Sequence, residues 1–341
     1  MKEKQAKPIL NKILRWLIPL GMSAVAIWLV LRQIELTRLL ESFKKIGWQA
    51  GLFASIAYFT SYFIRVFCWY MIMRRKVSFK DAFFTMGAGY LLNNIFPFRP
   101  GEIGRALLLD DPEKHPALEV FSSIVVERVF DVFLAAIFFL STLPLVLDVD
   151  HNHTLIIIVL AIALAGLFIL YLLARYQIKI TAWLDRWGTR SDFIKTQVLP
   201  RASQLLKGLS VLTNPGLFLL AFSSLAFSWL VAFGENFIIF QRLYPNPPFW
   251  WMILVLSASA FGAAFPSAPA SLGVFEGVMV VVFALVGVDA ELAFTHAIMI
   301  HALAFVYSNI IGLIGLRMRG QALVDLFHRA IHRKPDLLAS E

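Results

Sequence analysis

The sequence predicts an all-α polytopic integral membrane protein of roughly seven to nine helical segments. Three observations carry that prediction. Hydrophobic residues make up 59% of the 341-residue chain against 16% charged, and the mean hydropathy is +0.73, far from the balance of a water-soluble domain. Several apolar stretches exceed the roughly 18 residues that cross a hydrocarbon core about 30 Å thick. The basic residues, which give a formal charge of +9, are dispersed among short connections and form no single patch, so membrane topology accounts for them and nucleic acid does not.

The first apolar stretch, Ile13 to Leu31, follows Lys2, Lys4, Lys7, Lys12 and Arg15 and has no small-residue cleavage site, so it reads as an uncleaved span. Further apolar segments fall at 47–73, 82–97, 121–147, 154–174, 215–240, 249–266, 272–287 and 291–316. Arg74, Arg75, Lys76 and Lys80 follow the second segment. Seven basic residues lie between Arg175 and Lys207, and the tail 317–341 carries Arg317, Arg319, Arg329, Arg333 and Lys334. The positive-inside rule puts these connections, and both termini, in the cytoplasm, as in a multi-pass protein of the inner cell membrane. The basic segment 175–214, with Asp185, Arg186, Trp187 and Lys195 among apolar neighbours, reads as holding a short surface-lying helix. Cys68 is the sole cysteine, which excludes an intramolecular disulfide.

Topology then demands a re-entrant element. If 82–97 crossed fully, the acidic loop 148–153 would fall inside and the basic 175–213 segment outside; a hairpin over 82–120 that returns to the cytoplasm removes the conflict. A second hairpin is implied by a repeat. Ile95 to Gly104 aligns with Ala264 to Gly273, and both read F-P-x-x-P-x-x-[IL]-G between two apolar arms. Each proline removes a backbone donor and biases its predecessor away from helix, so such a motif breaks a helix, either at membrane depth or as a turn at the surface. The units 47–147 and 215–316, each a span, a Pro-broken hairpin and a span, run in opposite orientations within one transmembrane domain, 1–316. Inverted units with broken helices are a common build of alternating-access transporters.

The polar residues inside these segments are the candidate site. Arg65, Glu127, Arg128 and Asp131 lie in spans, and Arg99, Glu102 and Arg105 in the first hairpin. Charge at the bilayer centre is expensive and marks either structural ion pairs or a function. Glu127 and Asp131 share one helical face. The guanidinium fork suits phosphate, so the functional reading is a cationic niche for a lipid phosphate whose arginines are held by carboxylates. The second unit offers Glu235, Asn236, Pro269, Ser271, Gly273, Glu276, His296 and His301, with a proton-coupled step as one role for its histidines and packed hydrogen bonding as the other. Asp148, Asp150, His151 and His153 read as a solvated loop and not a metal site, and no cofactor or nucleotide motif is present.

Asn93, Asn94, Pro97, Arg99, Gly101, Glu102 and Arg105, then Glu127, Arg128 and Asp131, then Pro269, Leu272, Gly273, Val274, Glu276 and Gly287 resemble the flippase-like membrane region of lysylphosphatidylglycerol synthases and their stand-alone relatives. The distinctive elements are N-x-x-P-x-R-x-G-E-x-x-R from Asn94 to Arg105, E-R-x-x-D, and L-G-x-x-E, and the resemblance covers about 13–316. Where the family often has paired glycines this chain has Ala270 and Ser271. The resemblance implies movement of a lipid between leaflets; in the synthases a separate soluble domain attaches the amino acid, and no such domain is expected in this chain.

The expectation is therefore translocation of a phosphate-bearing lipid, an anionic phospholipid or a polyprenyl-phosphate-linked one, through a niche between the two hairpins. Arg65, Arg99, Arg105 and Arg128, with Asn94, would bind it; Glu102, Glu127 and Asp131 would orient the arginines. The alternative is an intramembrane enzyme, or a subunit of one, acting on lipid-linked amino acids or sugars, and a separately encoded lipid-modifying enzyme is a candidate partner.

Overall fold

The computed structural model describes residues 25, 28, 36–96, 99–146, 153–188, 193–262 and 268–332. The expected first span therefore lies almost wholly outside the described residues, as do 148–152 of the acidic loop, the Pro97-Phe98 pair and residues 264–267 of the second repeat motif. Every named element within them is helical. In chain order these are α1 (Leu36–Ile72), α2 (Phe79–Ile95), α3 (Gly101–Leu108), α4 (Ala117–Thr142), α5 (His153–Arg175), α6 (Gln177–Gly188), α7 (Leu199–Gly208), α8 (Pro215–Phe240), α9 (Trp250–Gly262), α10 (Val274–Ala284), α11 (Ala290–Met318) and α12 (Leu323–His332), joined by short 3₁₀ and π turns.

Three of these helices, α1, α8 and α11, are long and apolar enough to cross a membrane, and α5 with α6 makes a fourth if that bent pair is one span. On α1 the outward side chains Leu52, Ile56, Phe59 and Phe63 recur at three- and four-residue spacing, one exposed apolar stripe of the kind a bilayer solvates. Helix α4 has the length, 26 residues, but carries Glu127, Arg128 and Asp131 at its middle. Those charges are tied to partners on other helices, which is how a charged span is tolerated in hydrocarbon.

The two Pro-containing regions are broken as the sequence predicts. At eight residues α3 rises only about 12 Å, and α9 and α10, at 13 and 11 residues, about 20 and 17 Å, each short of the hydrocarbon core of about 30 Å. Helix α3 folds back on α2 and α10 on α9, giving two hairpins. Ser78 caps α2 by accepting the Asp81 N–H, and Asn214 caps α8, with Pro215 in its first turn, by accepting the Leu217 N–H at 3.1 Å. At the first hairpin the backbones nearly touch: a Cβ on Gly101 would stand 2.1 Å from the Gly89 carbonyl oxygen.

The packing is reciprocal. Helix α1 lies along α8; α2 lies along α11, and α9 along α4; the turn Pro269–Ser271 at the tip of the second hairpin rests on α2. The α2–α11 contact is close because Gly87 faces Gly312, where a Cβ would be 2.6 Å from the Gly87 carbonyl oxygen, small-residue packing suited to a medium that supplies no hydrophobic drive between helices.

Two regions have more order than the sequence conveys. In the basic segment α6 turns off α5 by 66°, with Trp183 and Trp187 exposed, and α7 packs on α4. In the tail, α12 docks on α3: Leu326 is fully buried and Phe327 stacks on Phe96 with ring centroids 3.6 Å apart.

Candidate functional site

Between the two hairpins lies a cavity of about 610 Å³. Arg65, Arg99, Arg128 and Asp131 form its polar wall from the first unit, and Glu235, Asn236 and Ser259 come from the second. Tyr58, Ser61, Tyr62, Tyr90 and Trp229 fill the wall between them.

The charged belt is built from α1, α3 and α4. Asp131 is its hub: one carboxylate oxygen accepts from Arg65 at 2.6 Å and from Arg128 at 3.4 Å, and the other accepts the Trp229 indole N–H at 3.1 Å. Arg128 also lies 3.7 Å from Glu102, and Glu102 in turn faces the Asn93 amide. The Asn93 carbonyl oxygen accepts the Gly101 N–H at 2.7 Å, which fixes the start of α3 and so the aim of Glu102. The i, i+4 spacing of Glu127 and Asp131 does present both carboxylates to Arg65, at 3.9 and 2.6 Å.

Arg105 is placed differently from the other arginines. It is 1% exposed, bound to the fully buried Glu127 at 2.7 Å, and its guanidinium lies 3.9 Å over the Trp69 ring. Its remaining Nε and Nη1 find no hydrogen-bond partner, and the ring face is what offsets their burial. It lies behind the cavity wall, where it holds Glu127.

Arg99 has the opposite character. Its side-chain hydrogen bond among the described residues is to a neutral group, donated to the Ser271 hydroxyl at 3.1 Å across the gap between the hairpins, and it makes no ion pair among the described residues. The belt holds four guanidiniums and three carboxylates, Glu235 of the second unit adds a fourth carboxylate to the cavity lining, and Arg99 is the guanidinium of the belt that enters the cavity without an ion pair among the described residues. Its backbone is left-handed, φ 51°, as are Ala270 and Ser271 opposite, both φ 58°. Such values cost a non-glycine residue about 1–2 kcal/mol, a strain found most often where backbone is shaped for a function.

In the second hairpin, Gly273 has φ 82°, which only glycine adopts freely, and its N–H donates to Glu276 Oε2 at 2.7 Å. The other oxygen of Glu276 bonds His301 Nδ1 on α11. His296 is fully buried, its Nε2 3.0 Å from the Asn236 carbonyl oxygen and its ring edge-on to Phe240 and Phe283. Asn94 is not among the residues lining the cavity and donates to Ser308 and Asn309 of α11, both at 2.9 Å, tying the two units together. Pro269 opens the turn that rests on α2.

Sequence reasoning thus found the arginines and carboxylates and missed the aromatic residues that hold them: Trp69 under Arg105, Trp229 on Asp131, and Tyr58, Tyr62 and Tyr90 along the wall. In a chain with 31 phenylalanines, nine tryptophans and eight tyrosines, an aromatic residue in a span is no signal by itself.

Residues 16–312 match the family described as the lysylphosphatidylglycerol synthase TM region. Among curated relatives, a UPF0104 membrane protein of Methanothermobacter thermautotrophicus (strain Delta H) is 23% identical over 252 residues, covering 68% of this chain and 72% of its own. No solved structure matches significantly. The matched stretch takes in both hairpins and the whole belt from Arg65 to Asp131, and the chain belongs to the family of lysylphosphatidylglycerol synthase transmembrane regions.

Proposed function

We propose that this protein translocates a phosphate-bearing lipid between the leaflets of its membrane, with the headgroup passing through the cavity between the hairpins. Family membership implies a membrane lipid-related role. The observation that carries the finer reading is Arg99, a guanidinium held at the meeting point of two helix breaks, lining a cavity with a charged wall and lacking a carboxylate partner among the described residues. A fork of donors without a carboxylate of its own is what a phosphate monoester or diester completes. Arg65 and Arg128 flank it, and Asp131 with Trp229 keeps both in place.

The reciprocal packing supports an inverted repeat. Among these eight helices, exchanging α1 with α8, α2 with α9, α3 with α10 and α4 with α11 turns each observed pairing into another observed one. Opposite access for the two hairpins follows from that reading. In a Cys68→Ala background, Lys80→Cys before the first hairpin and Gln241→Cys before the second are expected to react with an impermeant maleimide from opposite sides of the membrane. Labelling of both from one side would remove the inversion.

The decisive experiment is leaflet exchange of fluorescent phosphatidylglycerol in proteoliposomes. Exchange by the wild-type protein that is lost in Arg99→Gly supports the reading, and no exchange by folded wild-type protein across a panel of anionic lipids defeats it.

The Glu276–His301 pair supports a proton-linked step. On this reading His301→Gln abolishes the pH dependence of exchange. An unchanged profile removes the histidine from the cycle and leaves it as a packing group.

A further inference from the structure

We infer that a lateral groove between α4 and α5 seats one acyl chain of a glycerophospholipid whose phosphate occupies the arginine cavity. The inference rests on the translocation reading for the headgroup and adds where its hydrocarbon goes.

A second cavity, of about 390 Å³, lies on the far side of Arg128 from the first. Its walls are the apolar face of α4, running from Phe121 through Val125 and Val129 to Phe133, and Gly166 of α5. Only Glu102 and Arg128 are charged there, and Arg128 and Val132 line both cavities. A chamber with a charged wall and an apolar groove therefore share Arg128 and Val132. Val132, at that junction, is 55% exposed, so the groove opens sideways toward the bilayer.

The shape selects the occupant. Twelve residue steps from Phe121 to Phe133 give about 18 Å of α-helix, against about 15 Å for half of a hydrocarbon core. That suits one acyl chain and is too short for a long isoprenoid. Apolar side chains lie on both sides of Arg128 along the helix, Phe121 and Val125 on one and Val129 and Phe133 on the other. A chain in the groove stays in contact with apolar surface as its phosphate moves past the charged belt. The alternative, an open slot filled by unselected bulk lipid, does not require the junction with the arginines.

Gly166 gives a test that spares the fold. A Cβ built there meets no heavy atom within 4 Å, so a side chain can start at this groove-lining position without a backbone clash, and phenylalanine is chosen to fill the groove. The probe is phosphatidylglycerol carrying a diazirine in its acyl chain, photolysed in nanodiscs with wild-type protein, Gly166→Phe or Arg99→Gly, with adducts located by mass spectrometry.

Wild-type adducts are expected to concentrate on residues 121–133 and to fall at least tenfold in Gly166→Phe. Adducts on the outward stripe from Leu52 to Phe63 serve as the reference for bulk lipid and are expected to stay constant. Groove labelling no greater than the stripe, or unchanged by Gly166→Phe, overturns the proposal. So does preferential displacement of the probe by a polyprenyl phosphate over unlabelled phosphatidylglycerol. The outcomes separate the two readings. Loss of exchange in Arg99→Gly, with groove adducts insensitive to Gly166→Phe, ends the acyl seat and keeps the headgroup path. Groove adducts lost in Gly166→Phe without any leaflet exchange by wild type keep the seat and end translocation.

Discussion

Arg99→Gly is expected to reduce leaflet exchange of phosphatidylglycerol to near the rate of protein-free vesicles while leaving the melting temperature at or above that of the wild type. The two halves of that expectation have different causes. A hydrogen bond to a charged group contributes about 1.5–3 kcal/mol, so removing the guanidinium weakens phosphate binding by about ten- to 150-fold. The backbone gains, because φ 51° is strained for arginine and natural for glycine, and the lost partner, the Ser271 hydroxyl, is neutral and leaves no charge uncompensated. Arg99→Lys keeps the charge and loses the fork, and an intermediate rate is expected from it. Wild-type exchange by folded Arg99→Gly would mean that phosphate does not bind there.

Arg105→Ala is expected to do the reverse, destabilising the fold by about 3–5 kcal/mol, the cost of leaving a buried charge without its partner. Glu127, fully buried, would retain only the distant Arg65 contact at 3.9 Å, and the Trp69 face would lose the cation above it. The measurement is loss of the monodisperse peak on heating in detergent. Adding Glu127→Gln to Arg105→Ala is expected to recover part of that loss, because the second change removes the stranded carboxylate. The coupling would show as a double mutant more stable than the sum of the single changes. If Arg105→Ala instead melted with the wild type and lost exchange, Arg105 would belong to the substrate path and the cavity wall would have to open to expose it.

The contrast between these arginines shows how far the sequence reaches. Both stand in one motif, N-x-x-P-x-R-x-G-E-x-x-R, and by residue type and spacing both qualify as phosphate ligands. Motif spacing cannot distinguish them because α3 begins between the two, at Gly101. Arg99 remains on the irregular segment at the hairpin tip, while Arg105, one helical turn further on, is turned inward onto Trp69 and Glu127. Asn94 illustrates the same limit: its place in the motif suggests the site, yet its amide joins α2 to α11.

The sequence by itself determined the membrane class, the approximate places of the long apolar helices, the two helix breaks and the inventory of charges, while α1 begins eleven residues before the expected 47–73 segment, with a break at Gly47. These follow from hydropathy summed over a span and from the missing donor of proline, which are local properties of the chain. Segment 215–240, for instance, is helix α8 residue for residue, since Asn214 and Pro215 fix its start. Only the tertiary structure decided which arginine lacks a carboxylate, which tryptophans hold the belt, and that the tail forms a helix on α3. Those outcomes depend on distances between residues tens to hundreds of positions apart, such as Arg65 to Asp131, Trp229 to Asp131 and Arg99 to Ser271. In hydrocarbon a charge must find its partner wherever the packed helices put it, and the pairing is a property of the packing.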